Sequence, residues 1–209
     1  THNAAPGTLQ ATMDAAADGD IILLEPGTYS EDLNFPRGTS LTLKNPETDN
    51  TQVLLTGKIS LHDQTNGASL YLENLSIDPS GDYFFDGTPG DINTIAVEGV
   101  RIYGVRRCFI RANQSTALIG TLRFNNSLIY NNGEGGYNFI WTKTKVGQVK
   151  VSNSTLYNYS GGESFFSRHS APKDSDHLFR FEMSNNTVYR WSKGSGYALC
   201  KTDDSFSVE

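Results

Sequence analysis

The sequence reads as an all-β chain wound into a parallel β-helix, a solenoid of about 25–27 residues per coil. Three features lead there. One motif recurs: Asn126-Ser-Leu-Ile-Tyr130, Asn153-Ser-Thr-Leu-Tyr157 and Asn185-Asn-Thr-Val-Tyr189 each run Asn, two residues, aliphatic, Tyr. Weaker copies stand at Asn74-Leu-Ser-Ile-Asp78 and Gly99-Val-Arg-Ile-Tyr103, so the anchors lie 25, 27, 27 and 32 residues apart. Second, short runs alternating apolar and polar precede the anchors: Tyr71-Leu72, Val97, Leu122-Arg-Phe124, Val149-Lys-Val151 and Phe179-Arg-Phe181. Alternation with period two is the mark of a strand. Third, no repeat holds ten residues of helical spacing, which excludes the leucine-rich, ankyrin and tetratricopeptide solenoids.

The recurring Asn has a physical use in such a stack. Coils repeat at about 4.8 Å, so Asn side chains at one corner can hydrogen-bond along a column and hold a tight turn. Asn is also simply common in turns, and that alternative stays open. The same geometry separates the two cysteines. Cys108 and Cys200 are 92 residues apart, about 17 Å of axial rise at about 4.8 Å per coil, too far for a disulfide. Two free, mostly buried thiols are expected.

At 209 residues, with 37% apolar residues, 20 Gly and 19% charge, the chain reads as a single turn-rich domain. The first 20 residues are expected to form an N-terminal cap and 21–200 the coils, and the whole is expected to be part of a longer protein. No apolar run approaches the roughly 18 residues that span a bilayer, and no basic-then-apolar leader opens the chain. Sequons at Asn74, Asn113, Asn125, Asn153, Asn158 and Asn185 would put glycans into stacked corners, which favours a bacterial source. The net charge of −6 is uneven. Residues 1–100 carry three basic and fifteen acidic side chains, whereas 101–209 carry fourteen basic and eight acidic. The C-terminal half therefore faces something anionic. An acidic chain without a recognised motif is not read as a nucleic-acid binder.

Thr8 to Ala17 is the one good helix, with Thr8 as N-cap and Leu9, Met13 and Ala16 on one face. Asp20 to Glu25 follows as a strand, then the turn Pro26-Gly27. Further strands are expected at Leu41–Leu43 and Gln52–Leu55, loops over Asp78–Asp91 and Asn131–Gly136, and an insertion at Ser170–Asp176. The helix followed by GDIILLEPGTYSEDL resembles the N-terminal cap of the pectate-lyase-like superfamily of right-handed β-helices. That resemblance spans Gly7 to about Tyr197. It implies a right-handed coil plugged by the helix, in an extracellular or bacterial cell-surface protein. It leaves activity open, because the superfamily holds lyases, hydrolases, esterases and binders.

Lyases of this superfamily remove a proton beside a uronate carboxylate, which needs a neutralising cation and a base within reach. Lys143 and Arg168, 25 residues apart, are expected close together on one face, with Lys145 adjacent. FFSRHS followed by a strand and NNTVY is similar to the segment around the catalytic Arg in the chondroitinase B and alginate lyase family. The match implies Arg168 as the uronate-neutralising group and Lys143 or Lys145 as base; solvated strand-edge cations are the alternative. Tyr137, Trp141, Lys173 and Trp191, with Arg168, are candidate substrate-binding residues, since aromatic rings stack on sugar C–H faces. The anchor tyrosines read as a structural stack, and Arg101, Arg106, Arg107 and Arg111 as a second basic group. Asp78, Asp82, Asp86 and Asp91 could supply oxygen ligands to Ca²⁺, although they fit no EF-hand spacing; no other cofactor is indicated. Two functions follow: binding of an acidic, uronate-containing, pectin-like polysaccharide, or its cleavage by β-elimination.

Overall fold

Each turn of the chain lays one strand on each of three walls. The first wall holds nine strands: His2–Ala4, Ile21–Leu24, Leu41–Lys44, Ala68–Glu73, Ile92–Glu98, Leu118–Asn125, Lys145–Ser152, Leu178–Ser184 and Ser207–Val208. The second holds Gly27–Tyr29, Val53–Leu55, Ser76–Ile77, Arg101–Ile102, Leu128–Asn132, Thr155–Tyr159 and Thr187–Trp191. The third holds Leu33–Asn34, Ile59–Leu61, Tyr83–Gly87, Cys108–Ala112, Ile140–Thr142, Phe166–Arg168 and Cys200–Lys201. The computed structural model describes residues 1–161, 164–168, 178–191, 199–201 and 207–208. Among these, every strand pairing is parallel. The fold is thus an all-β parallel β-solenoid, in which residues one period apart become neighbours.

Alternation decides what faces inward. In the first wall Leu70, Ile95, Leu122 and Val149 share one register position, and Leu72, Val97, Phe124 and Val151 another; all eight are buried. Ile77, Ile102, Ile129 and Leu156 do the same for the second wall, and Phe85, Ile110, Ile140 and Phe166 for the third. Each such side chain contributes about 1.5–3 kcal/mol on leaving water. At the start of the third wall in each coil, Phe84, Phe109, Phe139 and Phe165 form an internal column, with ring centroids 5.3, 5.2 and 5.1 Å apart.

The corner between the first and second walls is a single left-handed residue. Asn74, Gly99, Asn126, Asn153 and Asn185 occupy it with φ of 55, 65, 48, 51 and 54°, the region that Gly and Asn tolerate best. Asn153 Nδ2 donates to Asn125 Oδ1 at 2.9 Å, and Asn185 Nδ2 to Asn153 Oδ1 at 3.4 Å. A second ladder runs one residue on: Ser127 Oγ accepts from Val100 N, Ser154 Oγ from Ser127 N, and Asn186 Oδ1 from Ser154 N.

The helix is Leu9–Ala15, with Leu9 and Met13 buried in the common core. Thr8 stands at its N-cap but turns its hydroxyl back to Ala5; Leu9 N instead donates to Glu31 Oε1 at 2.7 Å. The stretch read as a loop, Asp78–Asp91, contains the third-wall strand Tyr83–Gly87. Its Asp, Pro and Gly residues mask a strand anchored by Phe84 and Phe85. Cys108 and Cys200 are both free thiols, and Ser170–Asp176 lies outside the described residues. Among the described residues no helix is long and apolar enough to cross a membrane.

Candidate functional site

The outer face of the third wall gathers the chemistry. Because Phe85, Ile110 and Ile140 point inward, the next residue of each strand points out, and register places Asp86, Arg111 and Trp141 in one file; Ser167, next in register, is buried. Arg111 makes a forked pair with Asp86, at 2.5 and 2.9 Å, and its guanidinium lies 3.9 Å from the centre of the Tyr83 ring. Arg107 sits 4.4 Å over Tyr137 and donates to Tyr83 Oη at 3.2 Å. Asp82 lies 3.8 Å from both Arg106 and Arg107. The bond to Asp86 raises the Arg111 pKa and the bond to Tyr83 raises that of Arg107, so both stay cationic. Tyr137 is 40% exposed. On the earlier coils a cleft of about 250 Å³, lined by Asp32, Lys58, Tyr83 and Asp86, continues the face.

Three rings and three guanidinium groups therefore share one surface patch with two carboxylates. Planar guanidinium groups stack on aromatic faces and still present N–H forks to a carboxylate. Tyr83 was hidden from sequence reading inside the supposed loop; the apolar pair after it was the signal. Tyr137 and Trp141 were expected beside Arg168, Lys173 and Trp191; the structure sets them instead beside Arg107 and Arg111 of the second basic group.

The other candidates fall elsewhere. Arg168 is in register with Thr142, one residue before Lys143, so the backbone positions are close as the spacing required. The side chains differ: Arg168 is 2% exposed, while Lys143 is partly exposed. Lys145 starts a first-wall strand opposite Leu118, around the corner from Arg168. Trp191 is 6% exposed and stacks on Tyr159 at 4.7 Å between centroids. Interior register, not its aromatic character, decides that position. Lys173 lies outside the described residues. His62 holds its own turn, with Nε2 2.7 Å from Phe35 O and Nδ1 accepting from Gln64 N.

The four aspartates of 78–91 do not converge. Asp82 and Asp86 face arginines, Asp91 accepts from Leu118 N, and Asp78 accepts from Ser80. Among the described residues no three His, Cys, Asp or Glu side chains gather to hold a metal ion. The anchor tyrosines do stack, Tyr103 on Tyr130 at 5.2 Å and Tyr130 on Tyr157 at 5.3 Å, but on the outside of the second wall. Arg101 Nη2 donates to Tyr130 Oη there at 3.1 Å.

The geometry defines the class: a parallel β-solenoid with an aromatic and cationic outer wall. Residues 27–159 match the model of a domain of unknown function, DUF4957, and the chain belongs to that family. No curated protein matches the chain.

Proposed function

We propose that this chain is a glycan-binding β-helix of pectate-lyase-like, right-handed type, which engages an acidic, uronate-containing polysaccharide outside the cell. The third-wall patch is the observation that carries this reading. Tyr83, Tyr137 and Trp141 offer rings for sugar C–H faces, and Arg106, Arg107 and Arg111 offer forks for carboxylates. Asp82 and Asp86 hold the guanidinium groups in place in the free protein and compete weakly, since such part-exposed pairs contribute little.

Cleavage by β-elimination is the less supported alternative. It needs Arg168 at the surface beside Lys143 or Lys145, whereas Arg168 is 2% exposed. Calorimetric titration with oligogalacturonate tests the binding reading. Wild type binds, and the paired substitutions Tyr137→Ala and Trp141→Ala weaken binding about tenfold or more, a loss of about 1.4 kcal/mol. Unchanged affinity in that variant overturns the site. Unsaturated sugar product, abolished by Arg168→Ala, would establish the lyase reading instead.

A further inference from the structure

The first wall carries a charge arrangement that folding does not call for. Its outer face places Arg123, Lys150 and Glu182 in one register file. Arg123 and Lys150 are thus direct cross-strand neighbours, and like charges so placed oppose one another. One carboxylate serves the group: Glu182 lies 3.5 Å from Lys150 Nζ and 3.3 Å from Arg180 Nη1. Arg180 is two residues before Glu182 on the same strand, opposite Gln148. Arg123 has no ion pair among the described residues, and both it and Lys150 are exposed. Two cations thus flank one acid, and a third, Arg123, stands one strand beyond Lys150. Thr121 and Gln148 flank them on one side, Asn125 and Ser152 on the other.

We infer that this strip is a second anion-binding surface, separate from the third-wall patch, and that it takes a linear anionic polysaccharide laid along the solenoid axis. Successive strands present a cation or a hydrogen-bonding side chain every ~4.8 Å, which suits a chain of regularly repeated carboxylates or sulfate esters. The flanking groups are hydroxyls and amides, suited to sugar hydroxyls. No large apolar side chain stands in these files between Arg123 and Glu182, as an interfacial membrane binder would present. The inference does not depend on the third-wall reading.

The test titrates oligogalacturonate and dextran sulfate separately into wild type and the triple variant Arg123→Gln, Lys150→Gln, Arg180→Gln, at low and high NaCl. One of two binding components for either ligand should weaken about tenfold or more in the triple variant at low salt, and the salt dependence of that component should flatten. The difference between ligands reports carboxylate against sulfate ester. Tyr137→Ala with Trp141→Ala leaves the salt-dependent component in place, so failure of one site does not imitate failure of the other. Arg123→Gln alone should leave the thermal midpoint unchanged or raise it, since it removes a like-charge contact. Equal affinity and equal salt dependence in the folded triple variant overturn the proposal. Binding to phosphatidylglycerol vesicles without binding to either polysaccharide overturns it too.

Discussion

At the level of single residues, the corners impose the strictest demand. Asn74, Asn126, Asn153 and Asn185 recur because a left-handed residue is needed between walls, and Gly99 substitutes because the demand is conformational. A second left-handed corner follows each anchor Tyr: Gly104, Asn131, Asn158 and Arg190, with φ of 70, 52, 54 and 50°. Arg190 is the one that fits badly. Arg190→Asn should therefore raise stability by about 0.5–1 kcal/mol, measured by urea unfolding. Gly99→Ala should cost ~1–2 kcal/mol, because its Cβ would stand 2.6 Å from Asn74 Oδ1. Burial of the thiols gives a further expectation. It pushes Cys108 up to about 12 and Cys200 to about 11, from an ordinary 9.0, and Tyr29 from 10.0 to about 12. These groups are harder to ionise folded than unfolded, so their contribution is complete below pH 9 and fades between pH 9 and 12. Alkaline unfolding should begin in that window, and both thiols should react slowly with a disulfide reagent at pH 8 until the protein unfolds.

At the level of elements, the first-wall strands were legible because they sit at a fixed distance before the anchors. Leu122-Arg-Phe124 and Val149-Lys-Val151 alternate cleanly and pair in that register. The third wall was harder to read. Its strands begin after loops of variable length, and the Phe84, Phe109, Phe139 and Phe165 column is spaced 25, 30 and 26 residues apart. That irregular spacing hid the strand at Tyr83–Gly87 and with it the ring beneath Arg111. It also hid the burial of Arg168, since which side of a wall a residue takes depends on where its strand begins. The third wall makes its own prediction. Arg111→Ala leaves Asp86 without its forked partner, and should weaken oligogalacturonate binding several-fold in calorimetry while lowering stability by about 0.2–1 kcal/mol.

For the molecule as a whole, the solenoid turns sequence position into height along an axis. The unequal halves of the chain, fifteen acids before residue 101 and fourteen bases from residue 101 onward, therefore become an acidic region and a basic region of surface. Both candidate surfaces reach into the basic region. That long-range field should make association with an acidic glycan faster at low ionic strength, with the rate constant falling by about tenfold or more on adding salt; stopped-flow mixing at several NaCl concentrations checks this.

Hydroxyl-radical footprinting of the protein with and without bound oligogalacturonate tests most directly whether residues from separate coils act as one binding face. Tyr83, Tyr137 and Trp141 should be protected together when the glycan is bound, while Tyr130 and Tyr157 on the second wall oxidise as before. Protection of the second-wall tyrosines with Trp141 and Tyr137 unaffected, or no protection at all, would contradict the account.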